Sequence, residues 1–325
     1  DDSLQSALTI QQGLAAAAPE QWRLQADVCY TLDNLGLVAD RLADLSRAAD
    51  YVSSAVQMRR QLLQVLPGEE TLHRAMMQSL LNFASIVKRQ EDWERHRDVL
   101  GDAIQHATAS QTRFPDIKEY LYWEWVTLIG LAENHEHAKQ FDEALALLDR
   151  AIPLIQSAPQ DSASTRILNK QLLRAWNARA PILTRHARHA DALADWQSCI
   201  DQTDGIEQAH HRLGKAIALF KAGAPERAVV IADEVAPEIA DASNHFLLPN
   251  IHYNLACLRT LMAGIEEDTS QQEALLQLAT KSMSDSFSAG WTAIEWLQND
   301  PDLQRLLEYP PFQIVLANWR ASKSS

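Results

Sequence analysis

Helical stripes and short polar breaks alternate along the chain from one end to the other. In FDEALALLDRAIPLI (141–155), apolar residues recur at three- and four-residue steps, which puts them on one helix face. Glycine and proline number only 10 and 12 in 325 residues, and alternating β-branched runs are missing. Ala, Leu, Gln, Glu and Arg, all good helix formers, dominate. The pattern predicts an all-α chain.

A second period lies over the first. Pro19, Pro67 and Pro115 are spaced by 48 residues, and the same step links several size classes. Ala7, Ala55, Ala103, Ala151 and Cys199 are small; Leu4, Val52, Leu100, Leu148 and Trp196 are large and apolar. Gly36, Ala84, Ala132 and Ala180 are small, as are Ala48, Ala144 and Ala192, where His96 is the exception. Size classes held in register over four periods predict a repeat array. Each period is a pair of antiparallel helices. Small residues let the two helices approach, and the large residue plugs the next pair. Each proline is expected to stop the second helix and to open the next in its first turn. The acids after the prolines (Glu20; Glu69 and Glu70; Asp116 and Glu119) suit the positive end of a helix.

This register resembles the tetratricopeptide repeat, which asks for small residues at positions 8, 20 and 27, a large apolar residue at 24 and a closing proline. Gly36, Ala48, Val52, Ala55 and Pro67 make one copy; Ala132, Ala144, Leu148 and Ala151 make another. The family period is about 34 residues. Because the interval from 8 to 27 is intact, the extra residues are expected to lengthen the outer helix ends. The resemblance implies a right-handed α-α superhelix of five to six antiparallel pairs.

Residues 1–200 are read as long pairs, and 201–325 as shorter pairs with capping helices. LGKAIALFKAGAPERAVVIADEVAP (213–237) gives Ala216, Ala228 and Val235 at positions 8, 20 and 27. YNLACLRTLMAG (253–264) opens the last pair with Ala256, and EEDTSQQEA is expected to insert a longer turn. YNLAC together with the closing NDPDLQRLLEYPPF resembles the repeat region behind the catalytic domain of planctomycete-type bacterial serine/threonine kinases. That resemblance implies a signalling protein with an upstream kinase domain in the same polypeptide. The start at Asp1, not Met, fits a piece of a longer or processed chain.

Composition narrows the function. A net charge of −14 argues against nucleic acid, and the Arg59-Arg60 patch is too small to reverse it. No uncharged apolar run reaches the ~20 residues of a membrane span. Cys29, Cys199 and Cys257 lie far apart without a CxxC pair, which suggests neither disulfides nor zinc and fits the cytoplasm.

Three clusters invite chemistry. His96-Arg97-Asp98 matches the start of a kinase catalytic loop, but the magnesium-holding Asn five residues on is Ala103. Asp98 is therefore read as a solvated helix carboxylate. The histidine groups His135/His137, His186/His189 and His210/His211 lack further ligands, so no metal is expected. Trp123 and Trp125 are read as packing residues on different helix sides, and Trp196 as a core plug. No strained nucleophile turn occurs, and neither a catalytic residue nor a cofactor is assigned. The alternative is an all-α enzyme of toroid type, with an acidic centre at the first-helix N-termini.

What remains is a binding surface for a protein or peptide. The concave face of such an array is lined by first helices. Position 6 is Asn34, Asn82 and Asn254, and Asn at this place in the family bonds a peptide backbone. The rest of the lining comprises Tyr30, Asp33, Gln78, Lys88, Arg89, Arg174, Asn177, Arg185 and Tyr253. These cations do not reproduce the family's full carboxylate clamp, which argues against recognition of a C-terminal carboxylate.

Overall fold

The computed structural model describes residues 2–158, 165–240, 242 and 245–323, which are helical throughout and contain no strand. They form two compact units, Asp1–Ala158 and Pro159–Ser325. Unit 1 holds α1 (Asp2–Ala17), α2 (Trp22–Arg41), α3 (Leu45–Val65), α4 (Glu70–Arg89), α5 (Trp93–Arg113), α6 (Glu119–His137) and α7 (Phe141–Gln156). Unit 2 holds α8 (Thr165–Arg185), α9 (His189–Asp201), α10 (Gly205–Lys221), α11 (Pro225–Ala240), α12 (Leu248–Ile265) and α13 (Thr269–Ser288). It closes with α14 (Ile294–Asn299), a 3-10 turn at Pro301–Leu303, α15 (Gln304–Leu307) and α16 (Pro310–Lys323). From α1 to α7 and from α8 to α13, consecutive helices pack side by side. The pairs α2/α3, α4/α5, α6/α7, α8/α9, α10/α11 and α12/α13 make six tetratricopeptide-like hairpins among the described residues. The expected change from long to short pairs at 200/201 concerns repeat length and falls inside unit 2, at the C-terminal end of α9.

The pairs close because five successive turns share one hydrogen-bonded form. In the first, Ala43 N–H donates to the Asp40 carbonyl at 3.0 Å and Asp44 N–H to the Ala39 carbonyl at 2.9 Å. This double bond satisfies the last carbonyls of α2 and needs a left-handed residue between them. That residue is Ala43, Glu91, Lys139, Ala187 and then Gly223, with φ from 57° to 83°. Asp44 and Asp92 then accept from Arg47 N and Arg95 N, capping α3 and α5.

The register holds in the packing. Ala48, Val52, Ala55, Ala84, Leu100, Ala103, Ala132, Ala144, Leu148, Ala151, Ala180, Ala192, Trp196 and Cys199 are all buried. A Cβ built on Gly36 would collide with Val52, so the small-on-large contact between positions 8 and 24 is steric. His96 is accommodated because Asn134 on the neighbouring helix donates toward its Nδ1 at 3.2 Å. α2 to α5 run 20 or 21 residues, so the long period does sit in the helix ends.

Two expectations need correction. Pro19, Pro67 and Pro115 lie in the turns between pairs and do not enter the first turn of the next helix. In the last pair the insertion does not lengthen the turn, which remains Glu266–Asp268. Asp268 caps α13 by accepting from Ser270 N and Gln271 N, so the extra residues extend the helix instead.

Candidate peptide-binding face

In unit 1 the solvent-facing stripe of α2 includes Tyr30, Asn34 and Leu37, all exposed. One 48-residue step away, the stripe of α4 carries Gln78, Asn82 and Ser85, of which Asn82 is half-buried. Asn34 and Asn82 thus occupy one place on successive first helices. Gln78 Nε2 donates to Asn82 Oδ1 at 2.9 Å, leaving the Asn82 amide hydrogens directed elsewhere. The Asn34 side chain makes no hydrogen bond among the described residues. On α6 the same place is Gly130, which packs on Leu100, so the amide row ends there.

Asp33 plays a different part from the one expected. It is mostly buried and bridges to Arg59 Nη1 at 2.7 Å, while Ser79 Oγ donates to its carboxylate at 2.9 Å. Arg59 Nη1 also donates to Ser79 Oγ at 2.5 Å, and its guanidinium lies 5.1 Å from the Tyr30 ring centroid. Arg59 is 1% exposed, so the expected Arg59-Arg60 patch does not exist; Arg60 pairs with Asp102 at 2.7 Å. Burial pushes the Asp33 carboxyl above its ordinary value, against the opposing pull of Arg59. Asp33 and Arg59 therefore form the floor beneath Tyr30. Lys88 bridges to Glu133 at 2.6 Å and Arg89 to Asp40, tying neighbouring first helices together at the edge of the stripe.

The first-helix face of unit 2 is covered by the unit's own closing segment. Tyr253 is buried; its hydroxyl donates to Asp300 Oδ2 at 2.6 Å and its ring stacks on Trp291. Lys221 bridges to Asp302 at 2.7 Å, and the Arg185 guanidinium stacks 4.2 Å from the Trp296 ring centroid. Tyr253 thus does not line an open groove, and Arg185 faces the chain itself. Arg174, Asn177 and Asn254 are half-buried on α8 and α12. The seven expected residues of unit 1 gather around one stripe. Tyr30, Asn34, Gln78 and Asn82 share an open face; Asp33 underlies it and Lys88 and Arg89 flank it. Arg59 and Ser79 were missed because nothing in a helical stripe says that an arginine points inward. Leu37 and Ser85 were legible from the 48-residue step.

The other clusters resolve individually. Asp98 lies on α5 with its side chain 73% exposed, next to buried His96. Trp123 and Trp125 are both buried, and Trp196 packs on Gly214, where a Cβ would meet its indole. His137 stacks on Trp93, and no three His, Cys, Asp or Glu side chains converge among the described residues. Two first-helix acids of the kind a toroidal enzyme would use, Glu70 and Glu119, are bridged by Arg74 at 2.5 and 3.1 Å.

No protein-family model matches the chain, and no curated protein matches it. Among solved structures it is similar to BtubC (BKLC) from P. vanneervenii, with a TM-score of 0.51 and 14% identity. That match covers 76% of this chain and 93% of the other. It is also similar to a tetratricopeptide repeat protein from Parabacteroides merdae ATCC 43184, with a TM-score of 0.48 and 13% identity over 86% of this chain and 98% of that one. The likeness to BtubC shows a shared fold. With the register above, that fold is an α-α solenoid of tetratricopeptide type.

Proposed function

We propose that the protein is a non-catalytic interaction scaffold whose first-helix face in unit 1 holds an extended peptide of a protein partner. The observation that carries this reading is the in-register pair Asn34 and Asn82 on an open stripe. A carboxamide offers both a donor and an acceptor, so two of them in line match the alternating polarity of a peptide backbone. Tyr30 and Leu37 on the same stripe supply apolar area for side chains. The test is photo-crosslinking with a peptide selected from a random library on the purified protein. A photoreactive residue at Leu37 or Ser85 should capture the peptide, and one at Gln57 on α3 should not. Capture at Gln57 alone would place the site elsewhere.

The finer reading is a docking region of a cytoplasmic signalling protein with an upstream kinase domain. It is supported by the resemblance of the YNLAC and NDPDL segments, and the three buried, unpaired thiols suit a reducing compartment. Sequencing the reading frame upstream of Asp1 tests it; an unrelated domain there would contradict it.

A further inference from the structure

Arg59 holds a charge where the next repeat holds none. One 48-residue step on, the counterparts of Arg59, Asp33 and Tyr30 are Ala107, Leu81 and Gln78. Ala107 is fully buried and Leu81 packs on the same core cluster, so that junction closes with apolar residues. Helix pairing therefore does not need the Arg59–Asp33 pair, and a buried ion pair is weak evidence for stability. Arg59 also leaves two donors unused. Its Nη1 serves Asp33 and Ser79, but neither Nε nor Nη2 donates to any atom of the described residues, although both are buried. A buried donor without an acceptor costs stability, and two on one side chain call for a reason.

Nε and Nη2 form one edge of the guanidinium, the fork that matches a carboxylate side-on. The chain uses this edge so elsewhere: Arg179 Nε and Nη2 donate to the two carboxylate oxygens of Asp195, both at 2.8 Å. A guanidinium between two carboxylates also occurs, with Arg212 bridging to Glu234 at 2.5 Å and to Glu238 at 2.7 Å. What lies between Arg59 and the open stripe is the Tyr30 ring, its centroid 5.1 Å from the guanidinium. Tyr30 is 51% exposed and its hydroxyl makes no hydrogen bond among the described residues, so contact alone holds the ring there. We propose that the Nε and Nη2 edge of Arg59, uncovered as Tyr30 turns aside, receives the carboxylate of an aspartate or glutamate side chain within the peptide held on this stripe. This rests on the reading of the stripe as a peptide site, and it names what that peptide must carry. Asn34, one helical turn from Tyr30, then pairs with the backbone beside the acid.

The probe is the library-selected peptide, labelled with fluorescein and made in three forms: as selected, with each Asp or Glu in turn replaced by its amide, and with an amidated C-terminus. Fluorescence anisotropy with the whole chain should find one acid whose replacement weakens binding roughly tenfold. Amidation of the C-terminus should change nothing. Arg59→Met/Asp33→Asn, checked by circular dichroism, should bind the acidic and amide forms alike. Tyr30→Ala, which uncovers the arginine without touching the buried pair, should bind more weakly through lost contact area yet keep the preference for the acid. That variant decides the matter if the first fails to fold. The proposal is overturned if no acid matters, if amidating the C-terminus costs the same tenfold, or if the preference survives in a folded Arg59→Met/Asp33→Asn. Loss of the preference in Tyr30→Ala overturns it as well. Photo-crosslinking at Leu37 and Ser85 separates the two readings. Capture of a peptide that needs no acid leaves the peptide site standing and removes only Arg59 from it, whereas absence of capture removes both.

Discussion

The Tyr253 hydroxyl donates to Asp300 Oδ2 at 2.6 Å, across 47 residues of chain. Cys257, one helical turn from Tyr253, points its sulfur at the same oxygen, and Asp300 Oδ1 accepts from Asp302 N at 2.9 Å. The two motifs that suggested a common ending are thus two sides of one contact. Burial, reinforced by Cys257 and Asp300, holds the tyrosine well above its ordinary range and keeps it a donor. Asp300→Ala removes all three contacts and leaves the buried Tyr253 hydroxyl unpaired, at a cost of about 1–3 kcal/mol. Urea denaturation should show that loss; an unchanged midpoint would mean the closing segment is not anchored here.

Arg59 and Asp33 give a second test. Removing one partner of a buried pair leaves the other charge uncompensated, typically at about 3–5 kcal/mol, whereas replacing both is far milder. Arg59→Met should destabilise strongly, and adding Asp33→Asn should restore more than half of the loss. A double-mutant cycle by chemical denaturation measures this. Additive losses would show that the two side chains do not act as a pair.

The left-handed turn residues predict stabilising changes. Ala43 and Glu91 hold φ of 60° with a Cβ present. Ala43→Gly and Glu91→Gly should each stabilise by about 0.5–1 kcal/mol, because glycine adopts this region without strain. Gly223→Ala should do the reverse. Thermal unfolding with the opposite order of effects would contradict the turn geometry.

Acid should loosen the fold before the carboxylates titrate. Burial lowers His106, His210 and His211 from the usual 6.5 to about 4, with the charge of His73 adding to the effect at His106. Above pH 6.5 these groups are neutral folded or unfolded and cost nothing. Between 6.5 and about 4 the unfolded chain takes up protons that the folded one refuses, so stability falls as pH falls. The limiting slope is about 1.4 kcal/mol per pH unit per group, reduced for the partly exposed His106. His106→Gln should flatten the pH dependence of the melting temperature in this window. An unaltered profile would mean His106 does not contribute.

The repeat was legible because it is a steric pattern. Gly36 against Val52 and Ala103 at zero exposure follow from residue size, and size is written in the sequence. Ala103→Trp should accordingly overpack the α5 junction by several kcal/mol. The turns were partly hidden, since Ala43, Glu91, Lys139 and Ala187 are not residue types that announce a left-handed conformation. The candidate site was half legible. Asn34 and Asn82 emerged from the 48-residue step, but the step cannot show that Asp300 folds back onto Tyr253 or that Arg59 reaches inward to Asp33. Those contacts join residues outside the register, and periodicity carries no record of them.

The central claim is that the in-register amides of α2 and α4 hold a peptide. The most direct measurement is a set of binding isotherms of the library-selected peptide with the parent chain, Asn34→Ala, Asn82→Ala and the double variant. Each bond lost should cost on the order of 1 kcal/mol, about fivefold in affinity, with helicity intact and both losses present in the double variant. Four superimposable isotherms would contradict the account.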